Sequence, residues 1–103
     1  MTDDYIHLIN SNEMDEATMK QINIRGKQIL LVNIRGTFYA IDDVCTHAGC
    51  YLSEGTLIDE RVICPCHKGT FDIRSGEVLD GIPDKPEKSY PIKVQDGKIL
   101  IKV

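Results

Sequence analysis

The sequence contains no apolar run that approaches the roughly 20 residues of a membrane-spanning helix. It also lacks a surplus of positive charge, because 12 Lys and Arg stand against 16 Asp and Glu, for a formal net charge of −4. Nucleic acids and anionic membranes bind basic surfaces, so this balance argues against both as partners. The first four residues, Met-Thr-Asp-Asp, show neither the basic nor the apolar region of a signal peptide. The protein is therefore predicted to be soluble and cytoplasmic.

An amphipathic helical pattern is missing as well. Short segments rich in β-branched residues are instead separated by turn signals, of which Asp96-Gly97 is the strongest. The predicted strands comprise residues 5–9, 19–24, 27–34, 37–41, 57–58, 61–63, 70–73, 77–79, 89–95 and 98–103. Residues 50–54 are predicted to hold one helical turn. This spacing indicates an all-β sandwich or barrel forming a single domain over residues 1–103, with residues 43–72 carried as a small insert.

The four cysteines are confined to two short segments, which also hold two of the three histidines. The first motif segment is Cys-Thr-His-Ala-Gly-Cys at residues 45–50, and the second is Cys-Pro-Cys-His-Lys-Gly at residues 64–69. Such clustering argues for a metal site over a scattered disulfide framework. The C-x-H and C-x-x-H spacings allow two thiolates and two imidazoles to converge from two loops. That ligand set suits zinc or an iron–sulfur centre.

Other uses of these residues fit the spacing less well. Neither the C-x-x-C of a thioredoxin-like dithiol nor the C-x-x-C-H of a c-type haem occurs, and nothing offers an oxyanion hole for a catalytic Cys–His pair. Structural zinc stays open, since two Cys and two His satisfy a tetrahedral ion, although zinc modules usually present C-x₂₋₄-C knuckles. Gly49 and Gly69 favour an iron–sulfur centre. Backbone that approaches closely can donate N–H bonds to bridging sulfides, which a zinc ion lacks.

The two motif segments, together with Phe-Asp-Ile-Arg-Ser-Gly-Glu at residues 71–77, resemble the Rieske iron–sulfur motif as it occurs in soluble Rieske ferredoxins. The resemblance extends over effectively the whole chain. It implies the Rieske-like antiparallel β fold with a small cluster-binding insert. It also implies one 2Fe–2S cluster, with Cys45 and Cys64 on one iron and His47 and His67 on the other.

The resemblance also assigns Cys50 and Cys66. They match the positions of a disulfide that ties the two loops together in the Rieske proteins of respiratory cytochrome bc complexes. The alternative is a pair of buried free thiols, since disulfides are uncommon in the cytoplasm. Those respiratory proteins carry a Ser and a Tyr whose hydroxyls hydrogen-bond the cluster, where this sequence has Gly69 and Phe71. The missing donors predict a reduction potential in the lower part of the family range of roughly −150 to +300 mV.

The resemblance implies an electron-transfer protein, a soluble one-electron carrier and not an enzyme. Its donor would be a flavoprotein or ferredoxin reductase, and its acceptor a terminal oxygenase or another redox enzyme. The alternatives are an electron-transfer subunit of a larger oxidoreductase of the nitrite or arsenite type, and a structural zinc-binding interaction module. The acidic residues Asp42, Asp43 and Glu54 are interpreted either as a docking rim around the histidines or as ordinary solvated surface.

Overall fold

The computed structural model of the chain describes residues 5–44, 49–66, 69–80 and 86–102. Among these residues the backbone forms eleven strands in three antiparallel sheets, two short 3₁₀ helices (Ser11–Glu13 and Leu52–Glu54) and no α-helix. The predicted all-β fold of short antiparallel strands is therefore confirmed, and the predicted helical turn is the second 3₁₀ helix. No helix in these ranges is long and apolar enough to cross a membrane.

The base sheet joins the two ends of the chain, with the strand order β1-β11-β10. Its strands are β1 (Tyr5–Asn10), β10 (Ile92–Gln95) and β11 (Lys98–Lys102). The predicted turn at Asp96-Gly97 connects β10 to β11. The φ angles of these two residues are 53° and 74°, as a two-residue type I′ hairpin turn requires.

The middle sheet contains the strand that the sequence predicts to be central. Its strands, in the order β2-β3-β4-β9, are β2 (Thr18–Ile24), β3 (Lys27–Ile34), β4 (Thr37–Asp42) and β9 (Ser89–Tyr90). Ile29 and Leu31 of β3 belong to one core cluster, and Leu30 and Val32 to the other; all four are 0% exposed. Because both faces of β3 are covered, the strand has a continuous apolar run without polar alternation.

The loop sheet carries the second motif segment and packs on the face of the middle sheet opposite the base sheet. Its strands, in sequential order, are β5 (Thr56–Ile58), β6 (Arg61–Ile63), β7 (Thr70–Asp72) and β8 (Val78–Asp80). Val62 and Phe71 join the core cluster that contains Leu30, whereas Ile99 and Ile101 of the base sheet join the cluster that contains Leu31. The middle sheet is thus the central layer of three.

The prediction of one continuous strand over residues 89–95 is wrong. The chain leaves the middle sheet after β9, passes through Pro91 and enters the base sheet as β10. Proline has no N–H to donate to a strand ladder, so a sheet tolerates it at edges and interruptions. Only the carbonyl of Pro91 is used here, accepting the N–H of Lys102 at 3.1 Å.

Candidate metal centre

The first motif segment lies between the middle sheet and the loop sheet, whereas the second joins two strands of the loop sheet. The first lies between β4 and the 3₁₀ helix Leu52–Glu54, and the second joins β6 to β7. Of the four predicted ligands, the structure describes Cys64. The other three, Cys45, His47 and His67, lie outside the described residues. The complete ligand set therefore stays a prediction.

Cys64 follows β6 directly and is a free thiol with 0% exposure. Its backbone N–H donates to the carbonyl oxygen of Gly69 at 2.7 Å, so the second motif segment closes on itself. Its neighbours in the core cluster include Leu52 and Phe71. This burial suits either a small apolar core residue or a soft thiolate ligand shielded from water.

A disulfide between Cys50 and Cys66 joins the two motif segments, with the predicted pairing. The two Cα atoms are 6.4 Å apart, within the usual range for a disulfide. Cys50 is half-buried and Cys66 is exposed. Because Cys66 lies two residues after Cys64, the bond holds the second segment, with its buried thiol, against the end of the first.

The base of the first motif segment is fixed by Asp43, whose carboxylate is fully buried. Its Oδ1 accepts the backbone N–H of Ser53 at 2.7 Å. Its Oδ2 accepts the hydroxyl of Ser53 at 2.7 Å and the side-chain amide of Gln21 at 2.6 Å. Since Ser53 lies beyond the other end of the segment, one buried carboxylate ties the entry of the loop to its exit. These bonds compensate the cost of removing the charge from water.

Backbone contacts close the same loop. The N–H of Leu52 donates to the carbonyl oxygen of Asp43 at 2.6 Å, and Val44 forms an isolated antiparallel bridge with Tyr51. Main-chain bonds, a buried carboxylate and a disulfide thus converge on the ends of a six-residue segment. Holding the ends of a binding loop in place reduces the conformational entropy that the loop loses when it binds a metal.

The interpretation of Asp43 as a docking rim or solvated residue is wrong. Tyr39 and Ile41 of β4 face the core cluster shared with the loop sheet. The two-residue period of a strand carries that face on to Asp43. The alternation of inward-facing residues along β4 was therefore the signal that Asp43 is buried, although the charge of Asp43 favours a surface position. Of the other two acidic residues, Asp42 is half-buried and accepts the hydroxyl proton of Tyr90, and Glu54 is exposed.

We expect the substitution Asp43→Asn to lower the free energy of unfolding by about 1–3 kcal/mol. The new amide nitrogen cannot accept a hydrogen bond from Gln21 or Ser53, so a partly buried donor loses its acceptor. Urea unfolding of the cluster-loaded protein measures the effect. The matched control is Glu54→Gln, the same chemical change at an exposed position, which should stay within about 0.5 kcal/mol. Equal losses in the two variants would contradict the role of Asp43 as the anchor.

The described residues fit a metal centre that is bound through cysteine. Cys64 offers a thiol of the kind that zinc and iron–sulfur centres require, and the disulfide holds the end of the first motif segment close to the second, which contains Cys64. Gly69 is buried and Phe71 is fully enclosed in the core. Neither residue carries a hydroxyl. A metal centre bound here would therefore receive no hydrogen bond from a hydroxyl at either position.

Comparison with known proteins gives a consistent result. The family model of the Rieske 2Fe-2S domain matches residues 4–94. The ferredoxin component of the naphthalene 1,2-dioxygenase/salicylate 5-hydroxylase systems of a Ralstonia species is 31% identical over 103 residues, covering 100% of this chain and 99% of that protein. Sulredoxin from Sulfurisphaera tokodaii is 34% identical, covering 92% of this chain and 94% of that protein.

Solved structures with the same fold include the ferredoxin of carbazole 1,9a-dioxygenase from Nocardioides aromaticivorans IC177. It has a TM-score of 0.91 at 25% identity and covers 95% of this chain and 96% of that one. A chain from the complex of reduced oxygenase and oxidized ferredoxin in carbazole 1,9a-dioxygenase has a TM-score of 0.92 at 25% identity, covering 98% and 94%.

Proposed function

Because the chain belongs to the Rieske 2Fe-2S family, we propose that it is a soluble one-electron carrier that holds one 2Fe–2S cluster and catalyses no reaction of its own. One observation carries the proposal. The chain has two Cys/His segments with Rieske spacing, and the disulfide between Cys50 and Cys66 joins one segment to the other. The thiol of Cys64, which is shielded from water, also supports the proposal.

We assign Cys45 and Cys64 as the thiolate ligands of one iron, and His47 and His67 as the imidazole ligands of the other. When bound, the cluster supplies a one-electron couple of higher potential than a four-cysteine cluster, because two neutral imidazoles replace two thiolate charges. Residues 43–72 act as the cluster-binding part of a single domain spanning residues 1–103. The closure of the first segment by the Asp43 carboxylate supports this division.

The proposed acceptor is a terminal oxygenase or another redox enzyme, and the proposed donor is a flavoprotein or ferredoxin reductase. Support comes from relatives that are ferredoxin components of dioxygenase systems and from the similar fold in a complex of oxygenase and ferredoxin. We propose a cytoplasmic location.

An electron paramagnetic resonance spectrum of the dithionite-reduced protein tests the function. A cluster with mixed His and Cys ligands should give a lower average g-value than an all-thiolate cluster, and the oxidised protein should contain iron and acid-labile sulfide. A colourless protein with stoichiometric zinc and no sulfide would overturn the proposal in favour of a structural zinc module.

Because Gly69 and Phe71 carry no hydroxyl that could hydrogen-bond the cluster, we expect a midpoint potential in the lower part of the family range of roughly −150 to +300 mV. Restoring one donor by Phe71→Tyr should raise the potential. One hydrogen bond to a charged group is worth about 1.5 kcal/mol, or about 60 mV for a one-electron couple. The matched control is Phe38→Tyr, which adds the same hydroxyl to the core cluster on the base-sheet side. Redox titration of the three proteins measures the shift, and a wild-type value near the top of the range would refute the prediction.

Replacing His67 with cysteine should lower the potential toward the value of about −400 mV that is typical of four-cysteine plant-type clusters. A thiolate adds one negative charge beside the iron and makes reduction harder. His7→Gln provides the control, since His7 lies on β1 and is exposed. Redox titration of a variant that retains its cluster decides the point. An unchanged potential in His67→Cys would show that His67 is not a ligand.

A further inference from the structure

A surface pocket of about 340 Å³ opens beside the base of the first motif segment. Its walls include Lys27 at the start of β3, Val44 at the entry to the segment and Lys88 just before β9. The N–H of Asp42 donates to the carbonyl oxygen of Lys88 at 2.9 Å, so main-chain bonding fixes one wall against another. The pocket is therefore part of the frame that positions the motif segment.

Charge is segregated within this pocket. Lys27 and Lys88 are exposed, whereas the two carboxylates are withdrawn from solvent: Glu87 is 3% exposed, and Asp42 is half-buried and accepts the hydroxyl proton of Tyr90. The pocket thus presents positive charge to solvent on a chain whose formal net charge is −4. Of the four charged residues that line the pocket, the two that are exposed are lysines.

The ring of Tyr90 orders both lysines. The two ammonium nitrogens lie 5.7 Å (Lys27) and 5.2 Å (Lys88) from the ring centroid, within cation–π range. Burial raises the pKa of Tyr90 above its ordinary value, and the hydrogen bond to Asp42 adds to the effect. The side chain therefore stays a neutral phenol. Side chains that are ordered in advance lose less entropy when a partner docks.

Two exposed side chains extend this surface along the ends of the first motif segment. Val44 is 39% exposed and Tyr51 is 38% exposed, and they form a bridge between the two ends of the segment. We name Lys27, Lys88, Val44 and Tyr51 the basic–apolar face. Apolar and aromatic contacts surrounded by complementary charge are typical of specific protein interfaces.

We propose that the basic–apolar face docks an acidic, partly apolar patch on an electron-transfer partner and orients that partner over the first motif segment. The inference rests on the proposed electron-transfer function. Val44 and Tyr51 directly precede and follow residues 45–50, which contain two predicted ligands. A partner that covers these two side chains is therefore brought to the cluster, and the two lysines select a partner that carries negative charge.

Stopped-flow electron transfer from the reduced holoprotein tests the proposal with two protein oxidants of opposite charge, an acidic blue-copper protein and a basic c-type cytochrome. With the acidic oxidant at low ionic strength, the variant K27E/K88E should react about tenfold more slowly than the wild type. The matched control K20E/K98E makes the same charge change at exposed positions outside the pocket. Its rate should fall by less than about twofold. The difference should shrink in high salt, because salt screens exposed charges.

The cytochrome should react faster with K27E/K88E than with the wild type, and K27Q/K88Q, which removes the charge without reversing it, should give intermediate rates. If K27E/K88E and K20E/K98E transfer electrons to the acidic oxidant equally slowly, the net charge alone sets the rate, and the proposal is overturned. Inorganic phosphate at constant ionic strength that slows the wild type but not K27E/K88E would reveal a small-anion site instead. A wild-type protein that reduces neither oxidant would contradict the proposed function itself. Fast transfer that is insensitive to K27E/K88E would contradict only the docking face.

Discussion

Replacing Cys64 with alanine is expected to abolish the visible absorption and the bound iron of the purified protein. As a ligand, the Cys64 thiolate supplies one of the two proposed sulfur bonds from the chain to the cluster. Cys50 and Cys66 offer no replacement thiol, because they are paired with each other. As a mere core residue, Cys64 would lose only a small buried sulfur, at a cost of about 1 kcal/mol, and colour would remain. Iron content and absorption spectra distinguish these outcomes.

The matched control removes the other two cysteines together, by Cys50→Ala with Cys66→Ala. This variant keeps all four predicted ligands and should assemble the cluster. Its free energy of unfolding should fall by about 3 kcal/mol, because the disulfide closes a loop with a sequence separation of 16. Loss of iron to the same extent in both variants would contradict the division of the cysteines into two ligands and a brace.

Features that local chemistry determines could be predicted from the sequence. The hairpin turns at Arg25-Gly26 and Arg35-Gly36 place both residues at positive φ, as the glycine in the second position indicates. The apolar run of β3 predicts a central strand because a strand covered on both faces has no polar side. The spacing of the Cys and His residues likewise indicates the metal centre, and the comparisons confirm the family and its 2Fe–2S cofactor.

Features that depend on contacts distant in sequence could not be predicted in the same way. Pro91 signals an interruption, but whether β9 and β10 then share a sheet depends on which strand edges are free, and they pair with β4 and β11 respectively. The burial of Asp43 depends on Gln21, 22 residues away, which supplies one of the hydrogen bonds that make a buried carboxylate tolerable. Likewise, Lys27 and Lys88 both lie against the ring of Tyr90 because β3 and β9 belong to the same sheet.

Gly76 lies in the turn between β7 and β8, where the residues just before β9 contact the loop sheet. Its carbonyl oxygen accepts the N–H of Glu87 at 2.7 Å, and its own N–H donates to the carbonyl oxygen of Asp72 at 2.7 Å. The φ angle of Gly76 is 81°, and a Cβ at this position would lie only 2.0 Å from the carbonyl oxygen of Glu87. The obstacle is the backbone of a buried residue that is hydrogen-bonded to Gly76 itself, so it cannot move aside as a flexible side chain would.

We therefore expect Gly76→Ala to lower the free energy of unfolding by about 3–5 kcal/mol, a large share of the 5–15 kcal/mol that is typical of a folded domain. Gly26→Ala is the matched control, since Gly26 has nearly the same φ, 80°, but nothing within 4 Å of an added Cβ. Its free energy of unfolding should fall only by the cost of a left-handed backbone for alanine, about 1–2 kcal/mol. Urea unfolding of the two cluster-loaded variants isolates the contact with Glu87, and equal losses would show that Gly76 and Glu87 are not close-packed. Gly76→Ala should also slow electron transfer to the acidic blue-copper protein, because displacing Glu87 displaces Lys88, which directly follows it and belongs to the basic–apolar face. Gly26→Ala should leave that rate unchanged.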